Sequence, residues 1–214
     1  MIKRIIIVLL GLATAVGVVA YCASRTLTRL AVGARQARPS PAEAVSILRE
    51  GNSRYLRDAR TFARLSKARI AQTSATQEPF ATFLSCSDSR VPVEHVFDAG
   101  IGDLFVVRVA GNVCSDHEVG SIEYAVEHLQ TPLVVVLGHT HCGAVTAVVE
   151  NAEVRGKFPH LAEHIVPSYE EACTLHPHGD ASTLLDEAVR CNVRRAIQDL
   201  LRISNGVRAP SQET

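Results

Sequence analysis

The chain has 214 residues, enough to bury a core and to fold as a single domain. Its 22 Lys plus Arg equal its 22 Asp plus Glu, and no basic run is long enough to track a phosphate backbone, which argues against a nucleic-acid partner. Six cysteines are too few in this length for a disulfide scaffold, so each is read at its own position.

Lys3 and Arg4 make a short positive start, and residues 5–20 carry no charge. That run is close to the lower limit of ~17 to 20 residues for a membrane span and longer than a usual signal core. Val18-Val-Ala20 offers a cleavage site after Ala20, and without cleavage residues 5–23 form a single anchor. Both readings predict export to a periplasmic or other extracytoplasmic space, secreted or membrane-anchored. Arg25, Arg29, Arg35 and Arg38 follow the run, so positive charge does not fix its orientation. Tyr21 argues against lipidation of Cys22, because a small residue is wanted before a lipidated cysteine. The expected boundaries are a signal peptide or anchor over 1–23, a linker over 24–39, a folded domain over 40–204 and a polar tail over 205–214.

Ser40-Pro-Ala-Glu43 predicts a helix start, with Ser40 as cap, Pro41 in the first turn and Glu43 returning a bond to the cap. The helix is expected to run toward Tyr55 and Leu56, weakened at Gly51, with a basic, mobile stretch from there to Gln77. From Pro79 onward, short apolar runs over 80–84, 104–109 and 133–137 are bounded by turn residues and read as strands buried on both faces. A short fourth strand is expected over 93–97. Val119, Ile122, Tyr124, Ala125, Val126 and Leu129 recur at helical spacing between strands, which predicts an α/β layer fold with a mainly parallel sheet flanked by helices. Beyond Cys142 the pattern is helical. Leu184, Leu185, Ala188, Val189, Val193, Ile197, Leu200 and Leu201 form one broad apolar stripe.

The chemistry gathers at two strand ends. Cys86 lies just past the first strand, and His139 and Cys142 just past the third, where ligands collect in open parallel sheets. Two thiolates and one imidazole make a zinc site with a fourth position open, the pattern of catalytic rather than structural zinc. Asp88 and Arg90 sit beside it, and Gly138 and Gly143 allow close backbone approach. Taken singly, each cysteine reads as a small buried hydrophobe and His139 as a core histidine. Taken together they read as a metal cluster, because otherwise Asp88 and Arg90 sit at a buried strand end with no task.

Cys86-Ser-Asp-Ser-Arg90, Arg108-Val-Ala-Gly-Asn112, Gly120-Ser-Ile-Glu-Tyr-Ala125 and Gly138-His-Thr-His-Cys-Gly143 resemble the successive signatures of β-class carbonic anhydrases. Glu50-Gly-Asn-Ser-Arg-Tyr55 resembles the N-terminal helix motif of that family, so the likeness spans about residues 42–201. The resemblance implies one zinc ion per subunit held by Cys86, His139 and Cys142, with Asp88 and Arg90 as a catalytic dyad acting on CO2 and bicarbonate. It also implies a homodimer or higher homo-oligomer whose N-terminal helix packs on the partner. In the implied chemistry Asp88 accepts a hydrogen bond from the attacking oxygen, Arg90 holds Asp88 ionised, and the Gly143 N–H polarises a CO2 oxygen. In some members the aspartate instead becomes the fourth zinc ligand and closes the site, a position open to Asp88. Two thiolates make the metal less electrophilic than three histidines, so activity is expected to favour alkaline pH.

The remaining candidates receive plainer roles. His141 is expected at the surface or as a proton shuttle, and His95 and His117 are candidate relays. His160, His164, His176 and His178 are expected on a solvated face, and Cys114 in the core. Whether Cys173 and Cys191 pair is open, since sequence does not give their distance. The chain has no Trp, so the aromatic partner of bicarbonate-regulated members is missing and that regulation is not expected. The resemblance departs after Arg195: members continue into a last strand with a Gly…Tyr…Gly pattern, whereas residues 203–214 here carry no strand signal and leave that sheet edge without its strand. The expected function is reversible CO2 hydration. Its rivals are a non-catalytic, membrane-tethered zinc-binding relic and a hydrolase of CS2 or COS on the same site.

Overall fold

Ser40 caps the first helix as its sequence dictates. Its backbone N–H donates to Glu43 Oε2 at 2.7 Å, and its Oγ accepts from the Glu43 N–H at 3.3 Å. The computed structural model describes residues 38–204 and 206–207, and from Pro39 these belong to one compact unit, Pro39–Thr214. The expected signal or anchor segment and nearly all of the linker lie outside the described residues. Among the described residues no helix is long and apolar enough to cross a membrane.

Helix α1 is Pro41–Leu56 and α2 is Lys67–Thr73. Strand β1 (Ala81–Ser85), α3 (Val93–Val96), β2 (Leu104–Arg108), α4 (Asp116–Glu123, extended by a π turn over Tyr124–His128) and β3 (Val134–Leu137) follow. The chain then runs through α5 (Gly143–Val149), α6 (Phe158–Leu175) and α7 (Ala181–Ile203). The fold is α/β. Its three described strands are all parallel in the order β2-β1-β3, with Ala81 opposite Leu104 and Thr82 opposite Val134.

Strand alternation sorts the side chains into two layers. Ala81 and Phe83 face α1 and α3, packing with Leu48, Val93, Phe97 and Val135. Leu84 faces the other way, onto Val119 and Ile122 of α4 and Ala196 and Leu200 of α7. Central β1 is buried along its whole length, while β2 and β3, each with one strand neighbour, are half-buried. The order reverses at β1, so the carboxyl ends of β1 and β3 form the crevice where ligands gather in such sheets.

Four expectations are corrected. The fourth strand over 93–97 is a helical turn: Pro92 ends the preceding extended segment, and Val96 and Phe97 N–H groups bond back to Pro92 and Val93 carbonyls at 3.0 and 3.1 Å. The basic stretch before Gln77 is not loose, because it contains α2 and is clasped by buried carboxylates. Arg64 Nε and Arg69 Nη2 reach Asp103 at 2.8 and 3.3 Å, and the Thr61 N–H reaches Asp98 at 3.0 Å. Gly51 is a packing requirement rather than a weakness, since a Cβ there would run into the backbone carbonyl of Phe97. On α7 the inward face is Ala188, Cys191, Asn192, Ala196 and Leu200, while Ile197 and Leu201 stand 40% and 41% exposed. Each of those two follows an inward residue by one position, about 100° around the helix.

Candidate metal centre

β1 and β3 deliver the donors. Cys86 directly follows the last residue of β1, and Ser87 and Val109 continue the β1–β2 pairing past it through bonds of 3.2 and 3.1 Å. His139 follows β3 by one residue, Gly138, where a Cβ would sit 2.5 Å from Val193 Cγ2. Glycine lets the end of β3 lie against α7. Cys142 is the residue before the first turn of α5, and the Ala144 and Val145 N–H groups turn toward its sulfur.

These elements bring one donor atom from each of Cys86, His139 and Cys142 within 4.8 Å of one another. The two sulfurs are 3.8 Å apart. His139 Nδ1 lies 2.9 Å from the Thr140 carbonyl, which assigns the ring proton to Nδ1 and leaves an unshared pair on Nε2. That Nε2 is buried and has no hydrogen-bond partner. A buried imidazole nitrogen without a partner costs stability unless something else occupies its lone pair.

The thiols tell the same story. Cys86 is pushed well below the ordinary thiol range by the Cys142 sulfur, against the cost of its burial, with His139 and the Gly111 and Asp88 amides adding to the shift. Cys142 is driven far above that range by the ionised Cys86 and by burial. Two thiols this close do not both ionise without a cation between them. Two soft sulfurs and an imidazole lone pair, buried and facing inward, fit a zinc ion.

Asp88 stands at the rim, turned toward Arg90. Arg90 donates from its backbone N and Nε to Asp88 Oδ1, both at 2.9 Å, and from Nη2 to Oδ2 at 2.7 Å. The same Nη2 reaches the His141 carbonyl at 2.9 Å, tying the β1 loop to the β3 loop. Arg90, through its side chain first and its backbone second, holds the Asp88 carboxyl far below the usual carboxylate range. Asp88 is not one of the three clustered donors, although its Oδ2 is 3.8 Å from His139 Nε2. Gly143 opens α5, where the first N–H groups of a helix lack an intrahelical acceptor, and a Cβ there would meet nothing within 4 Å.

The other candidates lie apart from this cluster. His141 is exposed and contributes its carbonyl, through a backbone at φ 53°. His95 is exposed against the Phe62 ring, and His117 lines an open groove with His164, Arg195 and Asp199. His160, His164 and His178 are exposed and His176 is half-buried. Cys114 is buried, and burial pushes its thiol up to about 12. Cys173 and Cys191 are both free, with the Cys191 sulfur 3.0 Å from Arg194 Nη2.

Three residues around the cluster had no role predicted for them. Arg108 donates to the carbonyls of Cys86 and Asp88 at 3.0 and 2.6 Å, the Gly111 N–H donates to Cys86 Sγ at 3.3 Å, and Asn192 Nδ2 donates to the Gly111 carbonyl at 2.6 Å. Arg108 and Gly111 stand inside the Arg108–Asn112 block and Asn192 lies within the span of the resemblance, so for the first two the signal was present as motif but not as contact.

Residues 81–213 match the family model described as carbonic anhydrase. Carbonic anhydrase 2 of Mycobacterium tuberculosis is 36% identical over 172 residues, covering 78% of this chain and 81% of that one. Among solved structures, a tetrameric β-carbonic anhydrase of the ascomycete Sordaria macrospora aligns at 25% identity with a TM-score of 0.58, over 66% of this chain and 77% of its own. A further β-carbonic anhydrase structure aligns at 28% identity and TM-score 0.57, over 75% and 71%. A parallel α/β sheet with a Cys–His–Cys cluster at its carboxyl edge thus defines a metalloenzyme class. The chain belongs to the carbonic anhydrase family, in its β class, and is an enzyme of that family.

Proposed function

We propose that this protein interconverts CO2 and bicarbonate, CO2 + H2O ⇌ HCO3⁻ + H⁺, with one zinc ion held by Cys86, His139 and Cys142. The observation that carries the reading is the convergence of those three donors within 4.8 Å, beside a carboxylate locked by Arg90. When bound, zinc lowers the pKa of water from about 15.7 to about 7 and so supplies a nucleophile at neutral pH.

The protein residues do the rest. Asp88, kept ionised by Arg90, accepts a hydrogen bond from the attacking oxygen and points its lone pair at the CO2 carbon. The fork from Arg90 to Asp88 and to the His141 carbonyl fixes that carboxylate against both loops of the crevice. The Gly143 N–H at the open end of α5 meets the negative charge that develops on a CO2 oxygen. Family membership supports the substrate, and the tetrameric relative supports a homo-oligomer for this chain.

Stopped-flow CO2 hydration with a pH indicator, together with metal analysis of the same preparation, tests the proposal. The expected result is one zinc per chain and hydration well above the uncatalysed rate. A folded, one-zinc protein that does not hydrate CO2 but releases sulfide from CS2 or COS overturns the substrate. One inert toward all three overturns the enzyme mechanism.

A further inference from the structure

Gly111 stands between two long-range contacts, one through each of the two peptide groups it joins. Its N–H donates to the Cys86 sulfur at 3.3 Å, and its carbonyl accepts from Asn192 Nδ2 at 2.6 Å, across 81 residues of sequence. Asn192 is 2% exposed, on the inward face of α7, and Gly111 and Cys86 are buried with it. Ordinary propensity does not set the two peptide planes at this angle, which the dihedrals of Gly111 fix. Gly111 has φ 73°, in the left-handed region, and follows Ala110 in a tight turn that joins β2 to α4. A Cβ at Gly111 would also lie 2.7 Å from Ile165 Cδ1.

We infer that Asn192 is a positioning residue for the metal centre: by holding the Gly111 carbonyl, it aims the Gly111 N–H at the Cys86 sulfur and sets how much charge that sulfur gives to the ion it holds. The inference rests on the metal-site reading above. A peptide N–H on a thiolate withdraws electron density from sulfur, and such outer contacts orient ligands and tune what they bind. Asn192 suits the task because its amide is short and planar, and its stem is fixed on a 23-residue helix. Packing alone does not require a donor there. Neighbouring inward positions of α7 carry Ala188, Cys191 and Ala196, and an apolar side chain at 192 would leave the Gly111 carbonyl buried without that partner.

The test replaces Asn192 in the full chain with Leu, which keeps its branching and heavy-atom count without the amide donor, and with Ala, and reads both against the unsubstituted protein loaded with cobalt(II). Expected in both variants are unchanged far-ultraviolet circular dichroism, a thiolate-to-cobalt absorption band moved to lower energy as the sulfur regains electron density, and, because the sulfur is no longer held in place, cobalt bound about 10-fold more weakly against a chromophoric chelator. Band and affinity equal to the unsubstituted protein, with only a lower melting temperature, overturn the inference and leave Asn192 as packing. An unsubstituted protein that shows no thiolate-to-cobalt band overturns the metal-site reading itself, and this inference with it. A measurement without substitution also decides. In protein loaded with a spin-half cadmium isotope, the Gly111 amide proton is expected to couple to the metal nucleus through the Cys86 sulfur, and no coupling overturns the contact on which the inference stands.

Discussion

Arg108, the last residue of β2, donates from Nη2 to the carbonyl of Asp88 at 2.6 Å, while its Nε reaches the Cys86 carbonyl at 3.0 Å. One guanidinium on the neighbouring strand therefore holds the short segment that carries both a candidate metal donor, Cys86, and the carboxylate proposed to act on CO2, Asp88. An ammonium lacks the fork that spans two carbonyls. Arg108→Lys is expected to keep its metal and lose about 10- to 100-fold in kcat/KM, since small misplacements of reacting groups are expensive. Stopped-flow hydration beside metal analysis checks this, and a wild-type rate shows that the clamp is idle.

Asp88 and Cys142 separate chemistry from metal retention. Asp88→Ala is expected to keep one metal per chain and lose about 100-fold or more in turnover, the scale of a positioned proton acceptor. Cys142→Ala is expected to lose the metal first, because the site then keeps one sulfur and one imidazole. The two variants, compared by metal content and rate, give opposite patterns if the assignments hold. Equal activity in Asp88→Ala refutes the dyad.

Asp98 makes the fold acid-sensitive at a point remote from the cluster. Burial raises its carboxyl pKa, but Arg54, the Thr61 N–H and hydroxyl and the Phe62 N–H outweigh burial and hold it below the usual range. A carboxylate depressed in the folded state contributes stability above its unfolded pKa, and that contribution is lost as pH falls below about 4 through the lower folded value. Asp98→Asn keeps the shape and tolerates the left-handed φ of 47°. It is expected to cost about 2 kcal/mol at neutral pH and to flatten the dependence of melting temperature on pH in the acid range. An unchanged slope counts against Asp98.

Gly51 fixes the approach of α1 to α3. A methyl at this position meets the Phe97 carbonyl, which is backbone and cannot swing aside. Gly51→Ala would ordinarily strengthen a helix by about 1 kcal/mol. Here it is expected to destabilise by about 1 to 3 kcal/mol as overpacking. Denaturant unfolding measures the sign.

Much of this site was legible because it depends on local pattern. Short apolar runs ending in turn residues placed β1, β2 and β3 to within a residue or two, and the donors stand just beyond β1 and β3. Residues 93–97 misled because so short a run was read without its spacing: Val93, Val96 and Phe97 recur at helical rather than alternating positions, and Pro92 starts the turn. The basic stretch before Gln77 misled because charge looks like solvation until its partners are known. Asp103, more than 30 residues away, turns Arg64 and Arg69 into anchors.

By itself the sequence determined the class of fold and the candidate donors that cluster with Cys86, because strand periodicity and ligand chemistry are properties of neighbouring residues. Only the tertiary structure decided what surrounds those donors. The unshared Nε2 of His139, the two hydrogen bonds from Arg108, the Gly111 N–H on the Cys86 sulfur and the Asn192 behind it are meetings between residues from 20 to 81 positions apart, or the result of burial. Such contacts exist only once helices and strands have packed, since spacing along a chain carries no distance between residues on different elements. Cys86 was visible as a candidate donor from the start, and the packing of α7 on the β2–α4 turn is what gives its sulfur a fixed environment.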